Sequence, residues 1–284
     1  MSAFVQIRKQ ETDEKHAAAK EAELLRQVAG IPSLLIAVSG GADSAYLAWA
    51  AHQALGERAL SVTAISPSFS AYDRIELEKF VAYTGVRHEF VETHEMDNPA
   101  YKANAGDRCY YCKDELFKVL DRLASERGFA AVAYGVNADD MSDFRPGHRA
   151  AAEHRVLAPL LEAKMSKADI RALSRRAALP TWDRPASACL SSRLPYGTEV
   201  TPERLLLVEK GEAILRELGF RQFRVRLHDK LARIEIVPEE LAAAMTPAMG
   251  AMISQRFRAA GYLYVSLDLE GYRQGSLNAA LPER

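Results

Sequence analysis

Several features that mark other protein classes are scarce or missing in this sequence. Its 284 residues include only three cysteines and two tryptophans, and the formal net charge is −1. Three cysteines do not make a disulfide framework, and a near-neutral charge does not favour long nucleic acids or anionic membranes as partners. No apolar run approaches the length of a membrane span, and the N-terminal stretch is polar rather than a signal peptide. The sequence therefore predicts a cytoplasmic protein of one large or two ordinary domains.

The Gly-Lys-Ser/Thr of a Walker loop is also absent, but another glycine-rich pattern is present. The apolar stretch Leu34–Val38 runs directly into Ser39-Gly40-Gly41-Ala42-Asp43-Ser44, and a helix-like segment follows. A strand, two glycines and a helix N-terminus direct backbone N–H groups toward one point, which suits a phosphate. The alternative is an ordinary glycine turn that starts a helix. We predict a phosphate site that is formed by Ser39, Gly40, Gly41, Asp43 and Ser44.

The order of short apolar and longer helix-like segments predicts an α/β fold. The strand candidates are Leu34–Val38, Leu60–Ile65, Val86–Val91 and Ala130–Tyr134. Helix-like segments separate them, which indicates a parallel sheet with helices on both faces. Ligands of such sheets bind at the carboxyl ends of the strands. The loops that contain Ser66, Gly135 and Asn137 are therefore expected to line one crevice with the glycine-rich loop.

The last third of the chain predicts a second, smaller unit. A helix with Ser166 as its N-cap ends at 178, and the proline-rich stretch 180–202 is an ordered linker or functional loop. The following pattern is helix, two strands, helix and strand, with the second helix spanning Pro238–Ala260. We expect a small α+β domain with an antiparallel sheet, and we divide the chain into residues 1–178 and 179–284.

The three cysteines allow four interpretations. Cys109 and Cys112 lie at the start of a predicted helix, where the helix dipole, Arg108 and Lys113 favour thiolates. Cys189 lies among small, hydroxylated and basic residues. The three thiolates could ligate a [4Fe–4S] cluster with one open iron, or zinc with a histidine. Otherwise Cys109 and Cys112 form a redox pair, or all three thiols are inert.

The glycine-rich loop resembles the SGGxDS signature of the PP-loop ATP pyrophosphatases, whose sheet is of the adenine nucleotide α-hydrolase type. In that superfamily the loop holds the pyrophosphate part of ATP while the α-phosphate is attacked. Further segments, in order along nearly the whole chain, resemble the LarE-type ATP-dependent sulfur transferases, which supply sulfur for the nickel-pincer cofactor of lactate racemase. These segments are Tyr134–Asp140, Phe144–Gly147, Ala188–Gly197, Arg224–His228 and Ala232–Glu235.

The resemblance implies a reaction and a set of roles. ATP adenylates a carboxylate of a pyridinium dicarboxylate mononucleotide, and sulfur then displaces AMP, with Cys189, Asp43 and Ser44 as catalytic residues. Asp43, with Asp140 as a weaker candidate, would hold Mg²⁺. Arg193, Arg224 and Arg226 would bind the substrate's anionic groups, although an exposed polar strand face is the alternative for the last two. The resemblance also implies a homo-oligomer, a hexamer.

This chain departs from the branch of the family in which the cysteine at the place of Cys189 gives up its own sulfur. That branch lacks the pair that Cys109 and Cys112 form here. The chain instead resembles the three-cysteine branch, in which a [4Fe–4S] cluster carries sulfide. A sacrificial Cys189 remains an alternative. So do a PP-loop tRNA thiolase, which the near-neutral charge disfavours, and a nucleotide-binding sensor without catalysis.

Other polar side chains have weaker sequence signals. Glu212 and Glu235 match acidic positions of the family, although by themselves they would be surface carboxylates. Ser191 and Ser192 are candidates to donate to the substrate. His228 is expected to be merely exposed, and Trp182 to have a packing role.

Overall fold

The fold was analysed in a computed structural model that describes residues 3–142, 146–185, 188–273 and 275–277. The strands are β1 (Leu34–Ala37), β2 (Ala59–Ile65), β3 (His88–Glu92), β4 (Ala131–Tyr134), β5 (Phe223–His228), β6 (Leu231–Ile236) and β7 (Tyr264–Leu267). The helices are α1 (Ala3–Ala29), α2 (Ala42–Leu55), α3 (Ala71–Thr84), α4 (Pro99–Lys102), α5 (Arg108–Arg127), α6 (Gly147–Glu153), α7 (Pro159–Glu162), α8 (Lys167–Arg176), α9 (Pro202–Glu217), α10 (Pro238–Ala244) and α11 (Pro247–Ala260).

The chain forms two compact units. The first unit comprises Met1–Ile65, Asp73–Thr93 and Cys109–Ser187. The second unit comprises Ser66–Tyr72, His94–Arg108 and Ala188–Arg284, so it takes two short segments from the N-terminal half of the chain. Each unit has its own sheet, because β1 to β4 fall in the first and β5 to β7 in the second.

The sheet of the first unit has the order β3-β2-β1-β4, and all its neighbouring strands are parallel. This confirms the parallel α/β sheet that the sequence predicts. The chain proceeds from β1 outward through β2 to β3 and then returns to place β4 on the other side of β1. The carboxyl ends of β1 and β4 are therefore a topological switch point, where ligands of open α/β sheets bind.

Alternating side chains of the strands pack against helices. Leu35 and Ala37 of β1 and Val62 of β2 join the apolar face of α5, which includes Phe117 and Leu120, in one buried core. Because successive side chains of a strand point to opposite faces, Leu34 and Ile36 face the other side of the sheet. Helix α2 contacts β1 and β2, and α1 and α8 contact α2. Helices thus cover the sheet, as expected for a parallel sheet.

The sheet of the second unit has the order β5-β6-β7. Strands β5 and β6 are antiparallel, and Arg224 lies opposite Glu235 in their register. Strand β7 runs parallel to β6, so the sheet is mixed rather than antiparallel as predicted. The reason is that α10 and α11 form a crossover between β6 and β7, and such a connection returns the chain in the same direction.

Helix boundaries follow local capping signals. Ser166 accepts from the backbone N–H of Asp169, and the Asp169 carboxylate accepts from the backbone N–H of Ser166, which completes the capping box at α8. The single helix predicted over Pro238–Ala260 is wrong. Helix α10 ends at Ala244 with Met245 as its C-cap. Thr246 then caps α11, and Pro247 lies in the first turn of α11, where proline's missing N–H does no harm.

Within the described part of the chain, no helix combines the length and the apolar character that a membrane span needs.

Candidate functional site

The glycine-rich loop, residues 39–44, connects β1 to α2 at the switch point of the first sheet, and we call it the phosphate loop. Gly40 has φ +78°, a left-handed conformation that favours glycine. The Ser44 hydroxyl accepts from the backbone N–H of Ser39 at 3.1 Å and donates to the Gly41 carbonyl at 3.2 Å. Ser44 therefore holds the loop closed, and a role in shaping the loop joins its predicted role toward phosphate.

The N-terminus of α2 has the chemistry that an anion requires. Its N-cap is Gly41, and no side chain caps the first turn of the helix with a hydrogen bond. The first N–H groups of a helix have no intrahelical partner, and the helix dipole makes this end partially positive. The phosphate loop, as the structure describes it, therefore fits the phosphate groups of a nucleotide.

The end of β4 lies directly against the phosphate loop. A Cβ atom on Gly135 would lie 2.6 Å from Ser44 Cα and 2.7 Å from Ser44 N, so only glycine fits there. Two residues later, Asn137 Nδ2 donates to Asp43 Oδ2 at 3.0 Å. The structure thus brings Asp43, Ser44, Gly135 and Asn137 together, four residues that sequence reasoning assigned to one crevice.

Two carboxylates meet at this point of the first unit. Burial is the main cause that raises the pKa of Asp43, and the charge of Asp140 raises it further, while Lys167 and the Asn137 amide oppose the shift. Lys167 Nζ lies 3.0 Å from Asp140 Oδ1. Oxygen donors and an excess of negative charge suit a hard divalent cation such as Mg²⁺. Asp43 and Asp140 therefore fit the predicted magnesium role by the chemistry of their donor atoms.

Arg184 is a residue of this region that the sequence patterns did not predict. Arg184 Nη1 donates to the Gly40 carbonyl at 2.6 Å, although 144 positions separate the two residues. The contact joins residues that are far apart in the sequence, so no local pattern indicates it. Only a sequence motif that includes this arginine could have predicted it.

Cys189 lies in the second unit, with an exposed side chain, immediately before a 3₁₀ turn that spans Leu190–Arg193. Its carbonyl oxygen accepts from Arg193 Nη1 at 3.0 Å and from the Ser192 hydroxyl at 2.7 Å. The backbone N–H of Leu190 donates to the Ser68 carbonyl at 2.9 Å. These bonds fix the Cys189–Leu190 peptide that follows the thiol, while the thiol itself is exposed.

Arg193 is buried and forms a bidentate ion pair with Glu212, with N–O distances of 2.7 and 3.0 Å. Burial alone would raise the pKa of Glu212, but the charge and hydrogen bonds of Arg193, together with Arg224 and Arg216, outweigh it and lower that pKa. Glu212 is therefore no surface carboxylate. It is the counter-charge of the arginine that holds the Cys189 turn.

Arg226 connects the same turn to β6. Its guanidinium donates to the Ser192 carbonyl at 2.8 Å and to Glu235 Oε2 at 2.8 Å, and the Ser276 hydroxyl lies 2.9 Å away. Glu235 is fully buried, and Arg233 lies 3.1 Å from its other oxygen. The arginine reaches the Cys189 turn but is largely engaged by protein groups.

Arg224 differs from the other two arginines. It is buried, and its guanidinium lies 5.0 Å from the centre of the Tyr272 ring. Burial and the neighbouring charge of Arg193 lower its pKa to about 10. An exposed polar strand face is thus wrong for both Arg224 and Arg226. We name the group of Arg193, Arg224, Arg226, Glu212 and Glu235 the arginine–glutamate network.

The remaining candidate residues lie in different units: Ser66, Ser191 and His228 in the second and Trp182 in the first. Ser66 belongs to the second unit, where its hydroxyl lies 2.9 Å from that of Ser68. Ser191 is buried, and its hydroxyl lies 2.7 Å from the Tyr101 hydroxyl, so it packs within the protein. Burial and Arg233 lower the pKa of His228, which is only half-buried. Trp182, for which a packing role is predicted, is 37% exposed, and the Arg175 guanidinium lies 5.1 Å from the centre of its ring.

The cysteine pair lies in the first two turns of α5, with Cys109 exposed and Cys112 half-buried. Arg108, expected to favour their thiolates, is buried and donates to the Ser191 carbonyl at 2.9 Å. Cys109 and Cys112 belong to the first unit and Cys189 to the second. Among residues 3–142, 146–185, 188–273 and 275–277, no three or more His, Cys, Asp or Glu side chains form a metal-binding group. Phe144 and Arg145 lie outside the described residues.

The chain was compared with known proteins, and no family model matches it. An uncharacterized protein of Synechocystis is 45% identical over 260 residues, which cover 91% of this chain and 97% of the relative. Pyridinium-3,5-bisthiocarboxylic acid mononucleotide synthase of Lactiplantibacillus plantarum is 32% identical over 267 residues, 93% of this chain and 95% of the enzyme. An uncharacterized protein of Methanocaldococcus jannaschii is 31% identical over 60% of this chain and 66% of its own length. The match with the synthase extends over almost the full length of both chains, and on that ground this chain belongs to the family of pyridinium-3,5-bisthiocarboxylic acid mononucleotide synthase, the LarE family.

Proposed function

We propose that this chain is an ATP-dependent sulfurtransferase. It adenylates a carboxylate of pyridinium-3,5-biscarboxylic acid mononucleotide and converts it to a thiocarboxylate for the nickel-pincer cofactor of lactate racemase. The observation that carries the proposal is the 32% identity, over 93% of the chain, to an enzyme whose name states the bisthiocarboxylic product. The phosphate loop and the accessible Cys189 thiol support it chemically.

Activation comes first, because a carboxylate oxygen is a poor leaving group and AMP is a good one. A carboxylate oxygen of the substrate attacks the α-phosphorus of ATP, the bond to the β-phosphate oxygen breaks, and pyrophosphate leaves. The phosphate loop binds the β- and γ-phosphates through its N–H groups and through the Ser39 and Ser44 hydroxyls. Asp43 and Asp140 would hold Mg²⁺, which offsets negative charge on the phosphate oxygens when it is bound.

Sulfur transfer is the second step. A sulfur nucleophile attacks the acyl carbon of the mixed anhydride, and AMP leaves with the electron pair of the broken C–O bond. Cys189 is the proposed residue for this step, since its thiol is exposed while Arg193 and Ser192 hold its carbonyl. Arg224 is the proposed ligand of a substrate anion. Burial lowers its pKa to about 10, so a bound anion would stabilise its charge.

The source of the sulfur has two candidates, and each makes a chemical prediction. From the family resemblance we propose a [4Fe–4S] cluster on Cys109, Cys112 and Cys189 as the sulfide carrier. The described residues contain no assembled group of three metal-binding side chains. In the alternative, the Cys189 sulfur forms a thioester. Its Cβ–Sγ bond then breaks with loss of the Cα proton, leaving dehydroalanine and a thiocarboxylate.

The domain division at residues 178 and 179 and a homo-oligomeric, hexameric assembly remain proposals of the same kind. In this proposal the first domain binds the nucleotide, and the second contributes Cys189 and the assembly contacts.

The test is an anaerobic reaction with MgATP and pyridinium-3,5-biscarboxylic acid mononucleotide. We expect pyrophosphate release that depends on the mononucleotide, and a product whose mass shows oxygen replaced by sulfur. The Cys189→Ala variant should still release pyrophosphate but form no thiocarboxylate. Absence of pyrophosphate release from the wild-type chain with this substrate would contradict the proposed function.

The sulfur source is read from the same samples. Iron and acid-labile sulfide counts before the reaction test the cluster, with Cys109→Ser as the matched variant that should lose both. The intact mass after one turnover tests the alternative. Loss of the elements of H₂S from the wild-type chain would identify Cys189 as the donor, whereas an unchanged mass with repeated turnover would support a renewable carrier.

A further inference from the structure

Arg184 is the one buried cation that contacts the backbone of the phosphate loop directly, among the contacts of that loop that the structure describes. Its Nη1 donates to the Gly40 carbonyl at 2.6 Å, and its Nη2 donates to Asp73 Oδ1 at 2.5 Å. The side chain is only 8% exposed. A guanidinium is a planar fork, so two such bonds fix its orientation as well as its position.

The backbone around Arg184 is held as firmly as its side chain. Arg171 of α8 donates to the Arg184 carbonyl at 3.0 Å, and the Arg184 N–H donates to the Thr181 carbonyl at 3.2 Å. Asp73 lies in the first turn of α3. Contacts from Asp73 of α3 and Arg171 of α8 therefore place the guanidinium at the loop.

The bond to Gly40 determines where the next N–H points. The Gly40 carbonyl and the Gly41 N–H belong to one peptide, and no cis peptide bond occurs in the described chain. In a planar trans peptide these two groups point in opposite directions. With the carbonyl fixed toward Arg184, the Gly41 N–H points away from Arg184. The contact of that N–H with the Ser39 hydroxyl is long, at 3.5 Å.

Glycine makes this arrangement possible and also sensitive. Gly40 has φ +78°, and a Cβ atom on it would lie 3.4 Å from Arg184 Nη1. Glycine also allows the peptide to rotate readily, so a residue that holds the peptide in one orientation has an effect here that it would lack in a regular element.

We propose that Arg184 is a positioning residue of the phosphate loop, which holds the Gly40–Gly41 peptide so that the Gly41 N–H is presented to a pyrophosphate or nucleotide phosphate. The inference rests on the proposed nucleotide-binding function of the loop. Arg184 itself donates to protein groups, so it acts on the anion through the orientation of the peptide.

The test is calorimetric binding of inorganic pyrophosphate with Mg²⁺ to the full-length wild-type chain and to Arg184→Gln. We expect the dissociation constant to rise about tenfold or more, the effect of losing one well-oriented hydrogen bond to a charged group. Binding stoichiometry should stay unchanged, because the loop is misoriented rather than unfolded. Arg184→Lys, which can keep one of the two bonds, should show a smaller rise.

Asp73→Asn and Arg175→Gln are the matched controls. Asp73→Asn leaves the Gly40 contact in place, and Arg175 contacts only the nearby Trp182 ring among its described interactions. Both variants should bind pyrophosphate more tightly than Arg184→Gln, and Arg175→Gln should match the wild type.

Three results would overturn the proposal. If Arg184→Gln binds pyrophosphate with the dissociation constant of the wild type, Arg184 has no role in anion binding. A fall in stoichiometry and in unfolding temperature without a change in the dissociation constant would show a structural role only. If the wild-type chain binds neither pyrophosphate nor MgATP, both the proposed function and this inference are wrong. The first two results contradict only the inference about Arg184.

Discussion

The phosphate loop of the first unit and the arginine–glutamate network of the second organise polar groups in opposite ways. The loop is closed by hydrogen bonds of Ser44 within six consecutive residues, Arg184 and Asn137 contact it from outside, and the first turn of α2 has no side-chain cap. In the network, Arg193 pairs with Glu212 and Arg226 with Glu235, so the donors are largely used inside the protein. A neutral backbone can thus offer donors to an anion where two buried arginines, Arg193 and Arg226, are engaged by carboxylates.

Substitutions in the two regions should also destabilise the protein for different reasons. A buried ion pair has lost the hydration of both charges, so removal of one partner leaves the other charge uncompensated. The described contacts of the loop include no such pair at its centre. The loop is instead sensitive to steric clashes, because Gly135 lies directly against Ser44. Variants of the network should therefore affect folding most, while variants of the loop should affect nucleotide chemistry.

The largest effect on stability is expected for Glu212→Gln. The amide has the size of the carboxylate, but it removes the negative charge that faces buried Arg193. The repulsion between the positive charges of Arg193 and Arg224 then lacks this counter-charge. We expect a loss of about 3–5 kcal/mol in the free energy of unfolding, the usual cost of breaking a buried pair. Urea unfolding followed by circular dichroism measures it.

The matched control is Glu78→Gln in the pair of Arg74 and Glu78 on α3. Both side chains of that pair are about half exposed, at 51% and 50%, and their N–O distance is 2.9 Å. Exposed pairs contribute little, so the change should stay below about 0.5 kcal/mol. Equal losses for Glu212→Gln and Glu78→Gln would remove the contrast between network and surface.

The next largest effect is expected for Gly135→Ala. The new Cβ would lie 2.6 Å from Ser44 Cα, and backbone atoms cannot give way as a flexible side chain can. We expect a stability loss of about 1–3 kcal/mol, typical of overpacking, together with loss of substrate-dependent pyrophosphate release. Thermal unfolding and a pyrophosphate assay on the same sample check both parts.

Gly250→Ala serves as the control for this variant. Gly250 lies within α11, and a Cβ atom there would meet nothing within 4 Å. Alanine should stabilise the helix by about 0.5–1 kcal/mol and leave pyrophosphate release unchanged. If Gly135→Ala unfolds like the wild type and keeps its activity, the close contact of β4 with the phosphate loop has no functional weight.

The two regions also differ in how far sequence predicts them. The phosphate loop and the four parallel strands were predictable because a local pattern of apolar residues, glycines and serines specifies them. The meeting of Asn137 with Asp43 followed from the rule that ligand sites lie at strand ends. Short-range signals and general topology were sufficient there.

The network was not predictable in this way. Glu212 and Glu235 would be surface residues by composition, and only their buried partners show otherwise. The helix predicted over residues 238–260 failed because the signal of Thr246 and Pro247 was weaker than the apolar pattern around it. Arg184 was missed because its contact with Gly40 depends on chain folding across 144 positions.

The smallest expected effect concerns Asp43→Asn and its dependence on pH. Burial and Asp140 raise the pKa of Asp43 in the folded chain above 3.8, its ordinary value. Below that value both states hold the proton. As pH rises, the unfolded chain releases it first, so the wild type loses stability relative to Asp43→Asn until pH passes the folded pKa. At neutral pH in EDTA, Asp43→Asn should therefore be the more stable protein, even though it should lose pyrophosphate release.

Asp169→Asn provides the opposite sign in the same unit. Burial would raise the pKa of Asp169, but hydrogen bonds from Lys20 and Ser166 outweigh it and lower that pKa below 3.8. The wild type therefore gains stability from Asp169 above its ordinary pKa and loses it as pH falls. Urea midpoints from pH 3 to pH 8, about the range over which carboxylates titrate, should separate the two variants in opposite directions. If Asp43→Asn instead loses stability at neutral pH, Asp43 is a structural carboxylate like Asp169, and the phosphate loop would no longer differ from the N-terminus of α8 in holding a charge at a cost to folding.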